Sequence, residues 1–336
     1  MYAYPGPGQT ARGEHGVTRV HKYLIRRAAF GVLTIFGVSI IIFVVMRLLP
    51  GDLLAVMYGE GATKLTDADR AKIMQELHLS DPLYQQYWRW MKDLASGKLG
   101  SSFFRGDNVA DLILRRGPLS AEIGLLAVLI SWLVGLPVGM ISALRPNSIA
   151  DTGARIMSIL FLAIPGFWLG MLIVLALLFW FNYKAPLTVV HIWEDPWTNF
   201  QLVIGPAAVL GLGQAAYIAR MARSSLLEVI REDYVRTARA KGLLERLVVI
   251  RHALPNALLP VITLSGILMG FVLGGSVAIE QAFGVPGLGR AMITAVIERD
   301  IIIVQNLVFL YALIFVFVNI LVDLSYAWFD PRIHYQ

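Results

Sequence analysis

Six stretches of this chain run almost free of charge for the roughly 20 residues that an α-helix needs to cross hydrocarbon. They are Ala28–Leu49, Ile123–Leu144, Ile156–Phe181, Leu202–Ala219, Leu258–Ile279 and Ile301–Val322, with charged and polar segments between them. The pattern predicts an all-α membrane protein with six transmembrane helices. The first stretch holds only Arg47, near its end, where a long side chain snorkels to the interface. The fourth is the shortest and carries Gly205-Pro206, but without it the neighbouring polar segments fall on inconsistent sides of the bilayer. Glycines recur every fourth residue at Gly266, Gly270 and Gly274, and at Gly135 and Gly139, a spacing that favours close helix packing over a substrate surface. Pro137 and Pro165 are expected to kink their helices.

Residues 1–21 hold Pro, Gly and charge with no apolar run, and read as a flexible tail rather than a signal peptide. Residues 22–336 then form the transmembrane domain, with an insert at 50–118 and a charged loop at 220–256. In the insert, Thr66 is an expected N-cap for a helix through Leu77. A second helix is expected to begin near Asp81-Pro82, with Tyr84, Tyr87, Trp88 and Met91 on one apolar side. The short connections set the orientation. Arg12, Arg19, Lys22, Arg26 and Arg27 precede the first span, Arg145 and Arg155 join the second to the third, and the 220–256 loop adds eight more cations. The opposite short connections hold only Lys184, Arg290 and Arg299, and the basic residues of the long insert, roughly balanced by acids, weigh little because long loops translocate largely regardless of charge, so both termini are expected in the cytoplasm.

Composition agrees with a bilayer setting: 57% of residues are hydrophobic and 15% charged, and the mean hydropathy is +0.65. The net charge of +6 is spread among loops, which suits anionic lipid and not nucleic acid. Without cysteine there is no disulfide or thiolate metal site, and the redox compartment stays open. Catalytic patterns are missing. No GxxxxGK[ST] phosphate loop, HExxH or GxSxG occurs, and Gly211–Ala216 lacks the strand that a dinucleotide turn requires. The six histidines have no metal-ligand spacing. The chain therefore reads as a non-enzyme with no catalytic residue, metal site or cofactor of its own.

The charged loop carries the strongest signal. Val235, Ala238 and Gly242 stand at i, i+3 and i+7, giving a helix one small-sided face that admits a close partner. Arg236, Arg239, Lys241 and Arg246 surround it with interspersed acids, and Gly242 suits a helix end. RTARAKG ends at Gly242, and Leu254-Pro255 follow twelve and thirteen residues later. This resembles the EAA loop of permease subunits in binding-protein-dependent ABC importers. Arg236-Thr237-Ala238 stands in place of Glu-Ala-Ala and His252 in place of a frequent isoleucine, wording similar to the dipeptide/oligopeptide permease branch. Further strings resemble its B-type subunit: Pro50-Gly51-Asp52, HLSDPLYQQY and Gly97–Ser102, where Lys98 replaces the usual Asp. Glu280–Phe283 with Pro286–Arg290, Arg299-Asp300 and the ending LVDLSYAWFDPRI extend the resemblance from Lys22 to Ile333.

That resemblance implies a type I ABC importer permease fold in a bacterial or archaeal inner membrane. It implies a C-type permease as heterodimer partner, one or two kinds of cytoplasmic ABC ATPase holding ATP and Mg, and an extracytoplasmic binding protein. It also implies di- or oligopeptide cargo, with oligosaccharides or nickel complexes as alternatives. ATPase coupling falls on Asp233, Tyr234, Val235, Arg236, Thr237, Ala238, Arg239, Lys241, Gly242, Leu254 and Pro255. The insert serves as a platform for the binding protein or as a cap on the pore. Gln214, Tyr217, Ser265, Asn306 and Asn319 are intramembrane polar groups that line a path or hydrogen-bond between helices. Asp323 is expected to pair with a loop cation. A stand-alone secondary transporter predicts paired halves or buried ion-coupling carboxylates, and neither is evident. A receptor or scaffold has no need of the small-faced loop.

Overall fold

The computed structural model describes residues 14–48, 80–102 and 105–329, together with positions 66, 68, 72 and 75. The described residues form α1 (Glu14–Leu48), α2 (Leu83–Ala95), α3 (Val109–Leu144), α4 (Ile149–Ala163), α5 (Gly166–Phe181), α6 (Pro196–Val229), α7 (Asp233–Ala240), α8 (Leu254–Phe283), α9 (Leu288–Ile297) and α10 (Ile301–Phe329). A helical turn at Glu245–Leu247 and a π-helical segment at Val248–Ala253 lead directly into α8. Among the described residues, five helices are long and apolar enough to cross a membrane: Ile25–Leu48, Val109–Leu144, Pro196–Val229, Glu245–Phe283 and Ile301–Val322.

The third expected span differs. Ile156–Phe181 is not one helix but parts of α4 and α5, which meet at 97° and make a sixth span only if the bent pair is counted as one. Proline is the cause. Ile164 is driven to an extended conformation (φ −87°, ψ 123°) ahead of Pro165, α4 stops, and α5 restarts after Pro165. Pro137 lies within α3, which continues through it. The ends shift too. α1 begins at Glu14, so residues 14–21 of the expected tail are its first turns, and α3 begins at Val109, inside the expected insert. Asn108 sets that start by accepting the Ala110 N–H at 2.8 Å.

Helix α6 is the spine of the bundle, although its sequence signal was the weakest of the six. In its most apolar window 61% of residues are buried, against 28–33% in the other four spanning helices. It starts where Asp195 bonds the Thr198 hydroxyl at 2.5 Å and accepts the Thr198 and Trp197 N–H groups, which holds the Asp195 carboxyl below the usual range. α6 runs parallel to α3 at very close approach. A Cβ on Gly135 would lie 2.7 Å from the Ala215 carbonyl oxygen, one on Gly139 2.5 Å from that of Ala219, and one on Gly211 2.7 Å from that of Ala127. The small-residue spacing is thus a helix contact. Gly266 and Gly270 do the same for α8, facing Val322 and Phe315 of an antiparallel α10, whereas Gly274 faces open space. Outward, large apolar side chains such as Leu125, Leu133, Phe179 and Trp180 are exposed, as lipid contact requires.

The described part of the insert is anchored. Helix α2 begins after Pro82, as expected, but it seats Gln86, Tyr87 and Trp90 and leaves Tyr84 and Trp88 exposed. Tyr87 meets the Phe43 ring edge-on at 5.2 Å and shares a 2.8 Å hydrogen bond with Ser39, while Arg47 donates to Gln86 at 3.0 Å. Of the expected Thr66–Leu77 helix only positions 66, 68, 72 and 75 are described, and the last three are helical. Pro50-Gly51-Asp52, the Asp323 side chain and the chain from Asp330 lie outside the described residues.

Candidate coupling segment and translocation face

Helix α7 sits where α6 turns back toward α8. Two of its three small-sided positions, Val235 and Ala238, point inward, and the third, Gly242, is exposed. Val235 (0% exposed) and Ala238 (6%) join Ala143, Leu226, Val248, Ala253 and Ala257 in one buried cluster. The reason is energetic: an eight-residue helix is unstable alone and holds its place by burying an apolar face. The outward face carries Asp233, Tyr234, Arg236, Thr237, Lys241 and Gly242, all exposed. Gly242 ends the helix as expected. Its φ is +76°, its N–H donates to the Arg239 carbonyl at 2.9 Å, and a Cβ there would meet nothing within 4 Å.

Two braces stiffen this element. Arg239 makes a two-pronged pair with Glu245 at 2.6 and 3.0 Å, which raises the guanidinium pKa above its ordinary value and folds the following loop back on α7. Tyr234 Oη accepts from Asn256 at 2.7 Å, tying α7 to the first turn of α8, where Leu254 and the exposed Pro255 stand. Pro255 is tolerated there because a helix's first turn has no intrahelical partner for the missing N–H.

Three cavities follow one another along a single face of α6. The first, about 650 Å³, is mainly apolar and includes Phe161, Phe167 and Phe271 with Gln214 and Tyr217. The next, about 710 Å³, shares Tyr217 and Leu264 with the first and holds Arg155, Arg220 and Arg223. The last, about 540 Å³, shares Ser224 with the second and is edged by Glu228, Arg231, Glu232, Asp233 and Arg236, so it ends on α7. From Leu210 to Arg231 the row covers roughly 30 Å of helix.

Of the five intramembrane polar residues expected on a path or between helices, Gln214 and Tyr217 therefore share one cavity, Gln214 also donating to the Leu268 carbonyl at 3.5 Å. Ser265 donates to the Val261 carbonyl of its own helix at 2.8 Å. Asn306 is buried and donates to the carbonyls of Leu99 at 3.0 Å and Ile302 at 2.8 Å, joining the insert to α10. Asn319 likewise bonds its own helix, at Phe315.

Sequence reasoning did not find the group that fixes the α3–α4 corner to α6. Asp151 is fully buried, and its carboxylate accepts two bonds from Arg223 (2.8 and 3.0 Å), one from Ser142 (2.5 Å) and one from the Asn147 N–H (2.9 Å). The only local signal was one acid between Arg145 and Arg155, and its main partner lies 72 residues away.

The motif strings at the other end of the bundle meet one another. Ser102, closing the Gly97–Ser102 string, donates to Asp300 at 2.5 Å, and Arg105 pairs with Glu298. Glu280 is fully buried and accepts the Gly289 N–H at 2.8 Å and the Arg290 N–H at 3.3 Å, so one carboxylate caps the start of α9. Glycine at 287 and 289 makes room: a Cβ on Gly289 would lie 2.6 Å from Val277 Cα and 2.9 Å from Glu280 Oε2. Gly289→Val is accordingly expected to cost about 3 kcal/mol by overpacking, read as a lowered melting temperature of the detergent-solubilised protein.

Residues 135–335 match the family model described as "Binding-protein-dependent transport system inner membrane component", and residues 20–124 match that of its N-terminal region. The chain belongs to this family of inner-membrane transport components. Curated relatives agree over nearly their whole length. The chain is 36% identical to the oligopeptide transport system permease protein AppB of Bacillus subtilis over 317 residues, covering 93% of this chain and 99% of that one. It is 38% identical to the di/tripeptide transport system permease protein DppB of Pseudomonas aeruginosa, with 94% and 99% covered. To the dipeptide transport system permease protein DppB of Escherichia coli it is 35% identical, again with 94% and 99% covered. This is the dipeptide/oligopeptide permease B resemblance read from the motifs. The all-helical bundle with its five or six apolar spans is the type I ABC importer permease fold, and the chain is a multi-pass inner-membrane protein.

Proposed function

We infer that this permease is the B-type membrane subunit of an ATP-driven importer of di- and oligopeptides. The row of three cavities along α6, running from an apolar pocket to the exposed face of α7, is the observation that supports it most. The names of its relatives support the cargo class. ATP and Mg are held by one or two kinds of cytoplasmic ATPase, a C-type permease covers the α4–α5 and α8 side of the row, and an extracytoplasmic binding protein delivers cargo at the insert. Both termini face the cytoplasm in this reading, which the distribution of lysine and arginine in the short connections supports.

The work of this chain is mechanical. Closure of the ATPases presses on Tyr234, Thr237 and Lys241. Because Val235 and Ala238 are buried and Arg239 and Tyr234 are braced, α7 moves with α6 and α8 instead of bending under the load. Asp151 passes the displacement of α6 to the α3–α4 corner through Arg223. The two permeases then rock between inward- and outward-facing states, and hydrolysis in the ATPases resets them.

The cysteine-free chain permits a direct test by crosslinking in the whole assembly. Thr237→Cys is expected to crosslink to an ATPase subunit, and Val235→Cys, being buried, is not. Crosslinking from both positions, or from neither, contradicts the assigned face.

A further inference from the structure

The middle cavity of the α6 row holds more positive charge than the fold uses. Arg155, Arg220 and Arg223 all line it. Asp151 occupies Arg223 through two hydrogen bonds and lies 3.6 Å from Arg155. Arg220 is exposed, and among the described residues no carboxylate pairs with it. Three guanidiniums thus stand against one carboxylate. Tyr217 and Ser224 bring hydroxyls to the same space, each about one turn from Arg220 and on either side of it along α6.

The neighbouring cavities differ in chemistry. On one side lies the pocket lined by Phe161, Phe167 and Phe271, and on the other the pocket where Glu228, Glu232 and Asp233 outnumber Arg231 and Arg236. The order along α6 is therefore apolar, cationic, then acidic in balance. A short peptide whose apolar side chains lie in the first zone can set its C-terminal carboxylate in the second. An anionic lipid offers the same pairing of apolar and anionic groups, and the lipid-composition arm of the test below separates the two.

We propose that Arg220, with Arg155 and Arg223 beside it, forms a subsite for the α-carboxylate of the peptide cargo. This rests on the importer reading above and adds a charge requirement within the path itself. The guanidinium fork of Arg220 accommodates a carboxylate through two parallel N–H···O bonds, and its exposed side chain has no structural bond to give up.

The test uses the complete assembly, with its ATPases and binding protein, in proteoliposomes. ATP-driven uptake is measured at saturating cargo for a labelled tripeptide and for the same tripeptide as its C-terminal amide. Arg220→Gln is expected to lower the acid-to-amide uptake ratio on the order of fivefold, while Arg220→Lys, which keeps the charge and loses the fork, is expected to restore only part of it. The binding protein is the same throughout, so a changed ratio originates in the permease. An unchanged ratio in Arg220→Gln, or a deficit that follows the phosphatidylglycerol content and not the cargo's carboxylate, overturns the subsite. Failure of the wild-type assembly to take up either form refutes the importer reading first, and the subsite with it.

Discussion

Thr237→Trp is expected to reduce ATP-driven uptake at least tenfold, the loss that follows when a central interface contact is spoiled, while the membrane subunit stays folded and inserted. Thr237 stands on the exposed face of α7 between Tyr234 and Lys241, and its side chain bonds only the Asp233 carbonyl of its own helix. An indole there meets nothing inside the subunit, so its effect falls on whatever docks. Val235→Trp is the opposite case. Val235 is 0% exposed, and the indole would split the cluster formed with Ala143, Leu226 and Val248, so loss of folded protein is expected instead. Gly242 is a less clean probe than the motif resemblance suggests, because any side chain at φ +76° strains the backbone before a partner is felt. Uptake, ATP hydrolysis and the amount of monodisperse complex, measured on both variants, separate docking from folding.

Gly139→Leu is expected to destabilise the bundle by about 3 kcal/mol or more, the upper end of overpacking costs. The Cβ alone would lie 2.5 Å from the Ala219 carbonyl oxygen and 2.8 Å from the Ala222 Cβ. Backbone cannot yield as a flexible side chain does, so α3 and α6 must separate, and α6 is the spine on which the cavity row lies. Gly274→Leu is the control. A Cβ at Gly274 meets nothing within 4 Å, and the position lines the apolar cavity. That variant is expected to fold and to transport poorly, because the side chain fills the path. Thermal melting of the two purified variants, set beside their uptake rates, distinguishes packing from obstruction. A stable Gly139→Leu protein would mean that the α3–α6 contact is looser than its geometry.

The spans were legible because hydrophobic length is a local property and a bilayer enforces it. The start of α2 after Pro82 and the end of α7 at Gly242 were legible for a similar reason: each depends on one residue's backbone preference. The 97° turn at Pro165 was not, since proline announces an interruption while the neighbouring helices set its angle. Nor was the inward orientation of Val235 and Ala238. Small residues on one helix face admit a close neighbour of any kind, and here that neighbour is the chain itself. Asn306 illustrates the same ambiguity, for an intramembrane amide suits a path and an interhelical bond equally well, and the Leu99 carbonyl takes it. On α2, Tyr84 and Trp88 looked like core by apolarity, yet Gln86 is the buried residue because Arg47 and the Asp81 carbonyl satisfy its amide. The Asp151–Arg223 pair lay beyond reach because nothing local reveals a partner on another helix.

The central claim is that this subunit carries peptides through an assembly powered by ATP. It is tested most directly by ATP-dependent accumulation of labelled cargo in proteoliposomes holding the purified assembly and its binding protein, with peptide, oligosaccharide and nickel-chelate pools presented in turn. Accumulation of peptides that requires ATP and stimulates its hydrolysis is the predicted result. Accumulation of another pool instead would contradict the cargo, and uptake that proceeds without any associated ATPase would contradict the coupling scheme itself.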